Sequence, residues 1–156
     1  MKIAIASDHA GFSLKQEIFR FLTEKHIEVK DLGTFTESSV DYPDYALKVA
    51  ESIFANEAEK GILICGTGIG MSIAANKYPH IIAALVYSTY TAEMAARHNN
   101  ANVITLGGRT MDKKDAIKCV DIWLNTPFEH GRHEIRINKI LNSKTNKKGD
   151  GSYGTP

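Results

Sequence analysis

Two kinds of apolar pattern alternate along the chain. Short runs rich in β-branched residues, Lys2–Ser7, Glu28–Leu32, Gly61–Cys65, Ile81–Val86 and Asn102–Leu106, read as five buried strands. Between them lie stripes at helical spacing. Leu14, Ile18, Phe21 and Leu22 make one, Ala46, Val49, Ala50 and Ile53 a second, and Ala116, Ile117, Val120, Trp123 and Leu124 a third. Residues 71–78 and 89–98 predict shorter, Ala-rich helices, and Ile135, Ile137, Ile140 and Leu141 a last one over about 131–142. Ser13 with Gln16 fits a capping box, and Pro43 is tolerated in a first helical turn. Strand and helix in regular alternation predict an α/β fold. It is a three-layer α/β/α, doubly wound (Rossmann-like) five-stranded parallel sheet with an extra C-terminal helix. The expected domain covers 1–142, and the polar, glycine-rich segment 143–156 is expected to be a mobile tail.

Bulk properties narrow the function classes. The chain has 156 residues, enough for one domain with a sizeable core. With 19 basic and 18 acidic residues, composition gives no argument for nucleic acid or an anionic membrane. No apolar run could span a bilayer, and Asp8 and Lys15 follow the first strand too closely for a signal peptide. Cys65 and Cys119 form no CxxC pair or disulfide framework, so a cytoplasmic protein is expected.

In open α/β sheets, ligands bind at the carboxyl ends of the strands. Asp8-His9-Ala10-Gly11 follows the first strand, Cys65-Gly66-Thr67-Gly68-Ile69-Gly70 the third, and Gly107-Gly108-Arg109 the fifth. An acid, an imidazole, a thiol and a guanidinium thus fall along one sheet edge. The glycine turn lets backbone N–H groups crowd around an anionic oxygen, and a helix N-terminus favours the thiolate of a nearby cysteine. The bland reading of Cys65 is a small hydrophobe ending a strand; the glycine turn behind it favours a catalytic one. The turn is not a dinucleotide fingerprint, because Met71 stands where GxGxxG needs glycine. It has no Gly-Lys-Ser/Thr for a P-loop, and Met71 also occupies the arginine position of a Cys-x5-Arg phosphatase loop. The turn suits a small oxyanion.

Other candidates stand further off. His98 and Asn99 close the fourth helix, where the histidine is either functional or satisfied by the last carbonyls. Arg132 and Arg136 share a face of the last helix, which is either an anion site or a solvated basic face. Tyr42 either lines a pocket or caps the second helix. His26, His80 and His130 read as surface residues. No Cys/His or histidine–carboxylate set has metal-ligand spacing, so no metal and no cofactor are expected.

Taken together, Ser7-Asp8-His9-Ala10-Gly11, Asp41-Tyr42-Pro43, the run Cys65 to Lys77, His98-Asn99, Gly107-Gly108-Arg109 and Gly131-Arg132-His133 with Arg136 resemble the ribose-5-phosphate isomerase B family. That family includes allose- and galactose-6-phosphate isomerases. The resemblance spans Met1 to about Leu141 and implies a metal-free aldose–ketose isomerase working through a cis-enediolate. It implies a homodimer or homotetramer with active sites shared between subunits, a sugar-phosphate substrate, and no nucleic-acid or membrane partner. It further implies that Cys65 is the proton-transfer base and that Gly66, Thr67, Gly68, Ile69 and Gly70 form the enediolate cradle. His98 would open the sugar ring, Asp8 and Asn99 would contact the sugar, and His9, Arg109, Arg132 and Arg136 would hold the phosphate. One branch of the family places a glutamate base where this chain has Met71, so the resemblance is to the cysteine branch. Ribose 5-phosphate is the expected substrate. Hexose 6-phosphate isomerisation, a non-catalytic sugar-phosphate sensor and a thiol hydrolase are the competing readings.

Overall fold

The computed structural model describes residues 1–142; the expected tail at 143–156 lies outside the described residues. Five strands, β1 (Lys2–Ser7), β2 (Glu28–Asp31), β3 (Lys60–Cys65), β4 (Ala83–Leu85) and β5 (Val103–Gly107), form one parallel sheet in the order β2-β1-β3-β5-β4. Each predicted strand is present, with ends shifted by a residue or two. β1, β3 and β5 sit in the middle, which is why their side chains are buried on both faces.

The helices are α1 (Phe12–Glu24), α2 (Tyr42–Phe54), α3 (Ile69–Ala75), α4 (Thr89–Arg97), α5 (Lys113–Asn125) and α6 (Arg132–Leu141). Strand alternation divides the core in two. Ile3, Ile5, Ile62, Ile64, Ile104 and Leu106 pack with the stripes of α1, α4 and α5. Ala4, Ala6, Leu63, Cys65 and Val103 face α2 and α3. Burying one such Leu or Ile contributes about 1.5–3 kcal/mol, so both layers hold the sheet firmly. Lys15, fully buried on α1, pairs with Asp31 at the end of β2 at 2.5 Å, tying helix to sheet edge.

The Ser13–Gln16 capping box is not formed. Gly11 is the N-cap and α1 starts at Phe12, with no side-chain cap. The reason is packing: a Cβ at position 11 would lie 2.6 Å from the Ile64 carbonyl oxygen, so the chain enters the helix against the end of β3. Pro43 does sit in the first turn of α2. No helix among the described residues is long and apolar enough to cross a membrane.

Candidate active site

The three central strands end side by side, and their loops are joined by the backbone. Asp8 N–H donates to Ile64 O at 3.1 Å, Gly108 N–H to Cys65 O at 2.8 Å, and Arg109 N–H to Gly66 O at 3.0 Å. The chain reverses its direction of winding between β1 and β3, the position where doubly wound sheets open a crevice. Asp8 and Cys65 stand on either side of that crevice.

Each side chain there has a defined setting. Asp8 is buried, and its Oδ1 accepts the Ala10 and Gly11 N–H groups at 2.9 and 3.0 Å, shaping the loop; Oδ2 takes no part in that turn. His9 Nδ1 accepts the Val40 N–H at 3.3 Å, which places its proton on Nε2 as an outward donor. Cys65 Sγ accepts the Gly68 N–H at 3.2 Å. Thr67 is exposed at the tip of the turn, and its Oγ1 accepts the Ile69 N–H at 3.3 Å. The exposed Arg109 lays its Cδ 3.5 Å from where a Gly66 Cβ would be, so the guanidinium overhangs the turn. The Tyr42 ring lies against Gly70 in the same way, which makes it a wall of the site as well as the first residue of α2.

Gly68 is the conformational key. Its φ is +80°, and a Cβ there would lie 2.7 Å from Leu85 Cδ1 and 3.0 Å from the Leu106 carbonyl carbon. Left-handed backbone costs a non-glycine residue about 1–2 kcal/mol, and overpacking about 1–3 kcal/mol more. Gly68→Ala is therefore expected to lower the melting temperature by roughly 5–15 °C, at about 2–4 °C per kcal/mol for a chain of this size. Thermal unfolding followed by circular dichroism reads this directly, and an unchanged melting temperature would refute the strain.

His98, Asn99, Arg132 and Arg136 are not at this edge. α4 follows β4 and runs back against the strand direction, so its C-terminus returns to the amino end of the sheet, just before β5. The strands span up to six residues, about 20 Å at about 3.3 Å per residue, and that length separates these four residues from Cys65 in one chain. At the amino edge they have company. Glu129 N–H donates to Arg97 O at 2.9 Å, seating the segment between α5 and α6 on the end of α4. The His98 and His133 rings stack, with centroids 4.1 Å apart and planes 5° apart. Glu129 Oε2 lies 3.7 Å from His98 Nε2, and Arg132 Nε donates to His133 Nε2 at 3.4 Å. Arg132 and Arg136 are both exposed on α6.

The ribose/galactose isomerase family profile matches residues 3–140. The chain belongs to this family. Ribose-5-phosphate isomerase B of Escherichia coli is 45% identical over 139 residues, covering 89% of this chain and 93% of the relative. The crystal structure of a ribose 5-phosphate isomerase from Thermotoga maritima superposes with a TM-score of 0.88 at 57% identity, covering 89% and 96% of the two chains. That of ribose-5-phosphate isomerase B from Mycoplasma genitalium, with bound ribulose-5-phosphate, gives 0.86 at 46% identity, covering 90% and 93%. The chain is thus a sugar-phosphate isomerase by family, with the α/β fold of those structures.

Sequence reasoning left Glu129 and His133 without a role. Together with His98 they form a histidine–carboxylate cluster that the spacing of the chain did not reveal, because it joins two stretches about thirty residues apart. Their only local sign is the four-residue interval from 129 to 133, and Gly131 interrupts it with a φ of +59°. Burial of the His133 ring, then the neighbouring His98 and Arg132, holds the imidazole below its ordinary value of 6.5. A histidine depressed in the folded state supports stability fully above that ordinary value. The contribution is lost as pH falls through the folded value. A melting-temperature series from neutral pH down to about 5 is expected to fall more steeply for wild type than for His133→Gln. Parallel curves would show that protonation at 133 is not coupled to folding.

Proposed function

We propose that this isomerase interconverts D-ribose 5-phosphate and D-ribulose 5-phosphate through a cis-enediolate, in a site completed by a second copy of the chain. The observation that carries the chemistry is Cys65 Sγ at the mouth of the glycine turn, 3.2 Å from the Gly68 N–H. As thiolate, Cys65 takes the C2 proton of the open-chain aldose and returns it to C1 while a proton passes from O2 to O1, so no atom is gained or lost. The N–H groups of residues 66–70 and the Thr67 hydroxyl stabilise the charge that develops on the enediolate oxygen. Asp8 Oδ2 accepts a sugar hydroxyl, and Tyr42 closes one side of the sugar pocket. His9, through its Nε2–H, and Arg109 face the same crevice as phosphate ligands.

Among the described residues, two further functions have no group at this edge: ring opening, assigned to His98, and the main phosphate clamp, assigned to Arg132 and Arg136 with Asn99 beside them. A second copy supplies them if its amino edge meets the first copy's carboxyl edge. A two-fold axis then creates two equivalent sites. Apolar side chains that a solitary chain leaves in water flank both halves. Ile69, Ile73, Tyr87 and Tyr90 lie near the carboxyl edge at 52–69% exposure, and Ile135 and Leu141 lie on α6 at 60% and 45%. Fixing the phosphate far from the reacting carbons orients C1 and C2 at Cys65, and such orientation lowers barriers by several kcal/mol.

The test is turnover by purified protein, in chelator, of ribose 5-phosphate beside allose 6-phosphate and galactose 6-phosphate. Faster conversion of the pentose is expected. Preference for a six-carbon substrate would move the assignment within the family, and binding without conversion of any of them would leave a sensor.

A further inference from the structure

We propose that Glu129 is a positioning residue for ring opening: its carboxylate fixes the His98 imidazole in one tautomer and stabilises the imidazolium that forms as the sugar ring opens. The role rests on the assignment of His98 to that step. Glu129 Oε2 lies 3.7 Å from His98 Nε2 and 3.9 Å from Arg97 Nε. The carboxylate thus sits between two donors, while Arg97 keeps a closer partner in Glu93 at 2.8 Å. The Glu129 N–H donates to Arg97 O at 2.9 Å, which anchors the backbone, and the side chain is 52% exposed. A small rotation therefore closes the gap to His98 Nε2. Catalytic hydrogen bonds are often long in a free enzyme and tighten with substrate.

The stack with His133 holds the plane of the His98 ring, with centroids 4.1 Å apart and planes 5° apart. His133 is 7% exposed and accepts the Arg132 Nε–H on its Nε2 at 3.4 Å, which places its own proton on Nδ1. Burial, and then the charges of His98 and Arg132, favour the neutral form of His133. His98 is then the imidazole of the pair that takes up charge.

Ring opening breaks the C1–O4 bond of the furanose. His98 takes the O1 proton as the C1=O1 double bond forms and gives a proton to O4, so bonds and protons balance without a co-reactant. In a histidine, the hydrogen bond made by one nitrogen decides where the lone pair of the other stands. With Nε2–H directed at Glu129, the lone pair is on Nδ1, ready for the O1 proton. In the imidazolium both nitrogens carry protons, and the bond to the carboxylate becomes charge-assisted. Without Glu129 the two tautomers compete, and the imidazolium stands beside Arg97 without that counter-charge.

The experiment separates ring opening from proton transfer at carbon. Ribulose 5-phosphate has no ring form, because its O5 carries the phosphate. Exchange of a C1 hydrogen with D2O, followed by proton NMR, therefore needs Cys65 but not His98. The full chain is compared with Glu129→Ala, Glu129→Gln, His98→Ala and the double variant of Glu129→Ala with His98→Ala. Glu129→Ala is expected to lower kcat for ribose 5-phosphate at least about tenfold with KM little changed, while C1 exchange stays within about twofold of wild type. Glu129→Gln keeps an acceptor but no charge; its kcat is expected to fall between the two, and it keeps the test open should alanine disturb the segment. His98→Ala is expected to show the same split more deeply. Adding Glu129→Ala to it is expected to change conversion by less than about twofold, since the carboxylate acts through that ring. Wild-type conversion by Glu129→Ala would overturn the proposal. So would loss of conversion and exchange together, which marks a structural role, and so would a further loss in the double variant, which gives Glu129 a function apart from His98. If His98→Ala converts ribose 5-phosphate as wild type does, the ring-opening assignment falls, and this role with it. A wild type that neither converts ribose 5-phosphate nor exchanges C1 sinks the isomerase reading itself, and this role with it.

Discussion

Cys65→Ala is expected to lower kcat by about a thousandfold or more while leaving KM within a few-fold of wild type, since general acid–base catalysis contributes roughly 10²–10⁴. Among the described residues, Asp8 and His9 are the other groups at the carboxyl edge of the sheet that could take a proton from C2. Asp8 is the nearest rival, but its Oδ1 already accepts two backbone N–H groups. The alanine variant also removes the acceptor of the Gly68 N–H, so a loss could reflect a disturbed turn. Cys65→Ser separates the two explanations. A serine oxygen can still accept that N–H, yet its hydroxyl is far too weak an acid to serve as an anionic base near neutral pH. Both variants should therefore fall together, with similar melting temperatures and with ribose 5-phosphate still bound. Near-normal turnover by the serine variant would mean that position 65 shapes the cradle and another group moves the proton. The second thiol offers no substitute. Cys119 is fully buried between α5 and the sheet, and burial pushes its thiol up.

The same contrast between strand ends and helix ends explains what could be read in advance. Asp8 and Arg109 follow a buried strand by one and two residues, and Cys65 is the last residue of one. In a parallel sheet such positions share one edge, so their meeting was legible from periodicity alone. His98 follows a helix, and a crossover helix carries the chain back to the opposite edge. Sequence reasoning did not draw that consequence, and the opposite-edge position of His98 comes from the order of elements in the folded chain. Glu129 meets His98 through an irregular segment, where neither a 2-residue nor a 3.6-residue period exists to be read. Gly11 shows a different limit. The capping pattern at Ser13 and Gln16 is a valid local preference, yet the helix start is decided by a contact with Ile64, fifty-three positions away, which no local pattern encodes.

Mixing two inactive variants is expected to restore activity. Cys65→Ala damages the carboxyl-edge half of a site, and His98→Ala damages the amino-edge half. If each site takes one half from each copy, a hybrid pair holds one site with both defects and one with none. Random reassortment of equal amounts makes half of the pairs hybrid, so the mixture should recover about a quarter of wild-type activity. Against a background lowered about a thousandfold, that gain amounts to roughly a hundredfold or more. The experiment unfolds the two variants together and refolds them, with each refolded alone as control. A site contained within one chain predicts the opposite result, because every chain in the mixture still carries a defect. The 20 Å depth of the sheet makes that outcome hard to reconcile with proton transfer by both residues. Absence of rescue, with refolding proved by recovered wild-type activity in parallel, would therefore remove His98 from the chemistry rather than move it within the site. Recovery near a quarter would fix at once that the chain works as a pair and that the split between sheet edges is how its active site is built.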